Sequence, residues 1–345
     1  GYNSAAGVSA LLQFNLATGA LNVHATTDTT ADNGLAAPGV WMDPAGTGVS
    51  TVAYAGDLHG NVWSFTLNTG SGTSTSTPSS TGSLLFVAKD GSGNRQPITG
   101  GMLVGKDPAS GNTWVFFGTG QYLSTTDLTN TATQSWYGLI VQTTNATNSP
   151  VVASSMTRAD NLVQRAIVAE TAGDSSAMPP VAPARAVTPT PTSSDMTGKS
   201  GWYMDLLAPT GTGGALVSQG ERIVTSNQFQ GNLLLGTTRI PQAADICNPS
   251  GSGWIMAINP FTGTNPSDNF FDVNGDGLVN ASDTVTVGDK GYPAAGIGFS
   301  SLPNNPIFVG GSMLVSFDNG SNSSITTSGS TGSIQRVSWR ELINQ

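Results

Sequence analysis

The chain has 345 residues, with 12 Lys plus Arg against 21 Asp plus Glu and a formal net charge of -9. So acidic a chain carries no basic stripe to neutralise phosphates, which argues against nucleic acid as a partner. Charged residues make up 10% and glycine alone counts 44, the profile of many short strands and tight turns rather than of a helical bundle.

In chain order, the first recognisable element is Leu-Leu-Gln-Phe-Asn-Leu-Ala-Thr-Gly, from Leu11 to Gly19. Alternating apolar and polar residues mark a half-buried strand, and Thr-Gly supplies the turn. The pattern returns as Val62 to Gly70 and as Trp254 to Gly263, with a degenerate copy at Ser333 to Trp339. Thr51–Gly56, Trp114–Gly118 and Leu233–Gly236 are short runs that end in glycine, and they read as inner strands facing a crowded axis. Two stretches are low in complexity: residues 71–82 are nearly all Ser, Thr and Gly, and residues 174–197 are rich in Pro, Ser and Thr. Both are expected to be flexible loop insertions, the second unable to hold a ladder. Between them Asn161 to Ala172 carries a helical period, with Leu162, Ala166 and Ala169 on one face. A short helix is expected near Trp339 to Leu342.

Repeated strand–turn units at irregular spacing predict an all-β fold, a modified β-propeller with long loop insertions and a few short helices, over a β-sandwich. Residues 1–345 form one such domain. No apolar run approaches the ~18 residues of a membrane span. Cys247 is the only cysteine, so no disulfide forms within these residues. Gly1-Tyr2-Asn3 reads as mid-domain sequence, and the chain is expected to be a fragment.

The clearest chemistry lies between Asp272 and Asp283, which read Asp-Val-Asn-Gly-Asp-Gly-Leu-Val-Asn-Ala-Ser-Asp. Oxygen side chains fall at loop positions 1, 3, 5, 9 and 12, namely Asp272, Asn274, Asp276, Asn280 and Asp283. Gly277 occupies position 6, where an EF-hand-type loop turns, and the Leu278 carbonyl supplies position 7. Calcium takes six to eight oxygens at about 2.3–2.6 Å, so this spacing predicts a Ca2+ site. Position 12 is Asp283 rather than Glu, a shorter reach that lowers the expected affinity.

Other candidates read as structure. Asp57 sits in a turn, where a carboxylate capping backbone N–H groups is the ordinary role. His24 and His59 are the only histidines, too few for a His-based centre. Trp63, Trp114, Trp136, Trp202 and Trp254 are spread through the repeats and are expected to pack between sheets. No Gly-x-Ser-x-Gly elbow, Walker loop or His-Glu-x-x-His helix is present.

Several phrases carry a family resemblance. They are Val52-Ala-Tyr-Ala-Gly-Asp-Leu-His-Gly-Asn-Val-Trp63, Arg95-Gln-Pro-Ile-Thr-Gly-Gly101, Phe117-Gly-Thr-Gly-Gln-Tyr-Leu-Ser124, Gln134-Ser-Trp-Tyr-Gly138, Cys247 to Trp254, and Arg336-Val-Ser-Trp-Arg-Glu341. In this order they resemble the C-terminal domain of the PilY/PilC family, large proteins associated with type IV pilus tips. The resemblance implies a modified β-propeller, a non-enzymatic role as pilus-tip adhesin and assembly factor, and an extracellular location. It implies minor pilins or the pilus tip as partners, together with a surface receptor that the sequence does not identify. Family members often carry a calcium loop just before the Tyr-Ala-Gly-Asp-Leu phrase. Here that stretch is Asp43-Pro-Ala-Gly-Thr-Gly-Val-Ser-Thr51, which keeps one carboxylate, so calcium-gated control of retraction does not transfer. Integrin recognition does not transfer either, because the chain has no Arg-Gly-Asp. Two further readings are a quinoprotein-like propeller dehydrogenase and a purely structural filament component. The first lacks the vicinal disulfide that such enzymes share, since one cysteine cannot form it.

Overall fold

The computed structural model of the chain describes residues 8–41, 48–67, 78–143, 150–189, 195–209, 215–242 and 250–329. Among them the central sheets share one plan. Gly39–Val40, Val52–Gly56, Asn61–Thr66 and Ser83–Val87 form a four-stranded sheet. Leu103–Lys106, Thr113–Gly118 and Ser135–Gln142 open a five-stranded sheet that Gly201–Asp205 and Val163–Arg165 complete. Gln228–Gln230, Leu233–Gln242 and Ser250–Ile258 open a six-stranded sheet, followed outward by Gly296–Phe299, Ala184–Val187 and Ile167–Thr171. In each sheet the first three strands pair antiparallel in chain order. The third strand of each carries a buried tryptophan: Trp63, Trp136 or Trp254. Three-stranded sheets stand at either end of this series. One contains Ala10–Phe14, Leu21–Ala25 and Pro78–Thr81; the other contains Ile307–Val309, Ser312–Ser316 and Asn322–Thr326.

The sheets stack because strand residues alternate between two faces. Val115, Phe117, Tyr137 and Leu139 join Tyr54, Val62 and Phe86 in one cluster, filling the space between the four- and five-stranded sheets. Their neighbours Trp114, Phe116 and Trp136 point the other way and meet Leu234, Trp254 and Met256 of the six-stranded sheet. Ile255 and Ala257 face the next layer, where Met313, Val315 and Phe317 wait. Leu11 packs on Ala55, Trp63 and Phe65 at the opposite end. Each central sheet therefore has apolar residues on both faces, as a blade between blades requires.

A repeated linker locks consecutive sheets. The Ile98 amide donates to the Asp57 carbonyl at 2.9 Å, past the end of one second strand, while Gly120 N–H donates to Pro97 O at 2.7 Å, past the end of the next. Ile223 N–H donates likewise to Thr119 O at 3.1 Å, and Arg222 and Arg239 exchange backbone bonds at 3.0 and 2.8 Å. Side chains of these linkers lie where a glycine leaves room: a Cβ on Gly56 would overlap Ile98, and one on Gly118 would overlap Ile223. The crowding expected at glycine-ended strands is present, and each of these is the second strand of its sheet, bonded on both sides.

The Thr-Gly turn is a defined structure. Asn15 N–H donates to Ala20 O and Gly19 N–H to Asn15 O, each at 2.8 Å, while Asn15 Oδ1 accepts from Ala17 N. Asn259 to Thr264 repeats this turn, and so does Asp107 to Asn112, whose Asp-Pro-Ala-Ser-Gly the sequence pattern missed. Gly19, Gly111 and Gly263 all have φ near +70° (71°, 73° and 69°), which favours glycine there. The turn of the Val62 copy extends beyond the described residues. Asn61–Thr66 and Ser250–Ile258 are both third strands, whereas Ala10–Phe14 is an edge strand, so the three copies share a motif without all sharing a position.

Three expectations are corrected. Asn161 to Ala172 is not a helix: a single helical turn, Arg158–Asn161, is capped by Thr157 and stops at Leu162. The chain then forms strands Val163–Arg165 and Ile167–Thr171, because pairing with Gly201–Asp205 and Ala184–Val187 outweighs a weak helical period. Within 174–197, Ala184–Val187 is fully buried and bonded on both sides, to Ile167–Thr171 and to Gly296–Phe299. Its prolines flank the strand and do not interrupt it, so no ladder N–H is lost. Within 71–82, Pro78–Thr81 is a strand parallel to Leu21–Ala25. Cys247, the Asp43 position, the Ser333 copy and the expected terminal helix lie outside the described residues.

Candidate functional site

The Asp272–Asp283 loop leaves the core at Phe270 and Phe271, where Asp272 N–H donates to Thr326 O at 2.9 Å, and returns to it at buried Val285. Its two end carboxylates turn inward on its own backbone. Asp272 Oδ1 accepts from Gly275 N at 2.7 Å and Oδ2 from Gly277 N at 2.8 Å. Asp283, fully buried, accepts from Val273 N at 2.8 Å, Asn274 N at 3.3 Å and Asn280 N at 2.8 Å. Loop positions 3, 5 and 9 touch one another: the Asn274 and Asn280 amides approach Asp276 Oδ2 at 3.2 and 3.5 Å. Leu278 is 64% exposed.

All six predicted residues thus belong to one closed loop. The donor set suits a hard cation in kind, since every candidate ligand is an oxygen. Two of its three carboxylates are buried, and among the described ion pairs none neutralises Asp272, Asp276 or Asp283. In this conformation, however, the carboxylates cap amides, and among the described residues no group of three or more His, Cys, Asp or Glu side chains is gathered about one point.

Asp57 has the structural role expected of a turn carboxylate, on a larger scale. Oδ1 accepts from the His59 and Asn61 amides, both at 2.9 Å. Oδ2 accepts from Trp63 Nε1, Asn61 Nδ2 and Asn33 Nδ2 at 2.8, 2.9 and 3.0 Å. The five predicted tryptophans are all buried. Trp136 meets Trp202 edge-on at 5.9 Å, and Trp114 stacks on Phe116 at 6.0 Å. The histidines are separate: His24 is buried beside Gln13, and His59 contacts Asp28 at 3.0 Å. Burial pushes the His24 ring below its ordinary pKa.

Sequence reasoning missed a cavity of about 360 Å³ beside the Asp57 turn, bounded by Asp28, His59, Asn61, Leu84 and Arg95. Burial alone would raise the Asp28 carboxyl, but bonds from Thr30 and the His59 ring hold it down at about 2. Two of the phrases that carried the family resemblance supply His59, Asn61 and Arg95, but nothing in their spacing announced that Asp28 joins them.

Layered sheets, three of them with a tryptophan-bearing third strand and joined in sequence by backbone-bonded linkers, define a β-propeller domain. A family model described as the PilY1 beta-propeller domain matches residues 1–179, and the chain belongs to this family. It is 38% identical over 348 residues to a type IV pilus biogenesis factor PilY1 homolog of Xylella fastidiosa, covering 99% of this chain and 25% of that protein. Against the type IV pilus biogenesis factor PilY1 of Pseudomonas aeruginosa it is 29% identical over 333 residues, covering 88% of this chain and 28% of that one. The chain therefore spans about a quarter of the length of these curated relatives. The crystal structure of the Pseudomonas aeruginosa PilY1 C-terminal domain matches with a TM-score of 0.72 and 25% identity, over 95% of this chain and 68% of that one.

Proposed function

We propose that this domain acts outside the cell as part of a type IV pilus biogenesis factor, at or near the pilus tip, as a non-enzymatic adhesin and assembly component. Minor pilins and an external surface are its partners in this reading. The observation that carries it is the match to the PilY1 C-terminal domain over 95% of the chain, together with kinship to proteins named for pilus biogenesis. The chemistry is compatible: Asp57, Asp127, Glu221 and Asp283 are buried carboxylates, each already engaged by several donors of the fold. Deleting the encoding gene tests the reading. Loss of surface attachment with pili retained supports the adhesin role, and loss of pili supports assembly. Unchanged piliation and attachment, or quinone-dependent alcohol oxidation by the purified chain, overturns it.

The same proposal includes calcium at Asp272, Asn274, Asp276, Asn280, Asp283 and the Leu278 carbonyl. Its support is the oxygen-only donor set in a loop with two buried carboxylates and no ion-paired cation among the described contacts. Metal bound only to the folded form stabilises it by about 2.7 kcal/mol when calcium is a hundredfold above Kd. Calcium is therefore expected to raise the Tm of the wild-type chain, and Asp276→Ala to abolish that rise while Asp43→Ala leaves it intact. Absence of calcium binding in calorimetry rejects the site.

A further inference from the structure

We propose that the outer face of the first sheet is an internal interface, covered in the whole protein by a further layer of the same polypeptide beyond these 345 residues. Strands Ala10–Phe14 and Leu21–Ala25 pair antiparallel, so residues opposite one another share a face. One face carries Leu11, Gln13, Asn22 and His24. Leu11 packs on Ala55, Trp63 and Phe65, while buried His24 meets Gln13 Oε1 at 3.0 Å, so this face looks into the fold. The other face carries Ala10, Leu12, Phe14, Leu21, Val23 and Ala25, all apolar. Leu12 is 54% exposed and Phe14 58%. The usual pattern is inverted: polar side chains line much of the inward face, and an unbroken apolar face is left open.

Apolar residues scattered singly over a surface need no partner, but a contiguous set that includes an edge strand invites pairing and aggregation. The far end of the series differs. There the outward residues mix Ile307, Val309 and Leu314 with Ser312, Ser316 and Ser324, a face that water tolerates. Exchangeable partners meet surfaces that mix apolar and polar groups; no polar side chain interrupts the first sheet's outer face, which marks a permanent cover. The fold itself shows what such a cover is. The four-stranded sheet packs through apolar faces on both the first and the five-stranded sheet, and the open face continues that stack by one more layer. Relatives have the chain to supply it: the match spans 68% of the solved Pseudomonas aeruginosa domain and 25% of the Xylella fastidiosa protein. The inference rests on family membership and on the patterning of this face, and it stands whether or not the domain is an adhesin.

Hydroxyl-radical footprinting of the purified 345-residue chain and of the full-length protein tests it, with sedimentation followed over a range of concentrations. Buried Phe86 and partly exposed Phe229 serve as internal standards. Phe14 is expected to react at least as fast as Phe229 in the 345-residue chain, and to fall to the level of Phe86 in the full-length protein. Leu12→Glu combined with Phe14→Glu should leave the Tm of the shorter chain within about 1 °C, as exposed substitutions do. In the full-length protein the same pair should lower the Tm of the propeller by about 5 °C or more, because two carboxylates are then buried. Footprinting needs no variant, so the test stays decisive where the double substitution prevents folding. Equal reactivity of Phe14 in the two proteins, or equal Tm shifts, overturns the proposal. So does protection of Phe14 already present in the shorter chain. Protection there that is independent of concentration assigns the cover to that chain itself, and protection that grows with dimer formation assigns it to a second copy.

Discussion

Asp57→Asn is expected to lower the Tm by about 6 °C. The carboxylate of Asp57 is fully buried and accepts five hydrogen bonds, two on Oδ1 and three on Oδ2. A carboxylate offers about four lone-pair directions, so its capacity is spent and none is left for base chemistry. Asparagine keeps one acceptor oxygen and turns the other position into an NH2 group. Whichever way the amide faces, its NH2 group opposes donors: two backbone N–H groups on one side, or Trp63 and two amides on the other. Each buried donor left without an acceptor costs about 1–3 kcal/mol, which gives a loss of about 4 kcal/mol for the variant. At this chain length, 345 residues, each kcal/mol moves the Tm by roughly 1.5 °C. The damage should spread to the next sheet, because the Asp57 carbonyl also holds the Ile98 linker. Chemical denaturation that showed a loss under about 1 kcal/mol would reject this hub.

How much was readable beforehand depends on range. Local chemistry was legible: the turn role of Asp57 follows from its neighbours at positions 59 and 61, and Thr-Gly after Asn15 and Asn259 makes the turn it suggested. The layered all-β architecture followed from repeated strands that carry Trp63 and Trp254. Long-range pairing was not legible. Arg165 is buried against Asp195 and the Thr262 carbonyl, so a charged residue occupies a core position and blurs the strand alternation around it. That left the spacing of Leu162, Ala166 and Ala169 to suggest a helix. Ala184–Val187 was hidden for a related reason: the prolines before it spoke for a loop, while its partners lie about 110 residues later at Gly296 and Ile297. The cavity under Asp28 joins His59 across 31 positions and Arg95 across 36 more, distances over which spacing carries no information.

Glu221→Gln is expected to cost about 3–5 kcal/mol, and its rescue by a second substitution is the sharper test. Arg185 is fully buried in strand Ala184–Val187. It donates Nη1 and Nη2 to the two Glu221 oxygens at 2.6 and 2.8 Å, and Nε to Glu170 Oε1 at 2.7 Å. Its guanidinium also lies 3.9 Å from the centre of the Trp254 ring. Glu221 stands in the linker that precedes strand Gln228–Gln230, so the ion pair ties that linker to the outer strands of the same sheet. Burial raises the pKa of Glu170, Arg185 opposes the shift, and the nearby Glu221 charge adds to it. Removing the Glu221 charge leaves a buried cation with only Glu170 to answer it, which is why breaking the pair is severe. Removing both charges is different, because two desolvated ions no longer need each other. Arg185→Met combined with Glu221→Leu, of similar volume, is therefore expected to recover most of the stability lost by either substitution alone. In a double-mutant cycle the coupling should be about 2 kcal/mol or more. Additive losses in that cycle would mean that Arg185 and Glu221 act separately, and that stacking on Trp254, not the ion pair, holds the arginine in the core.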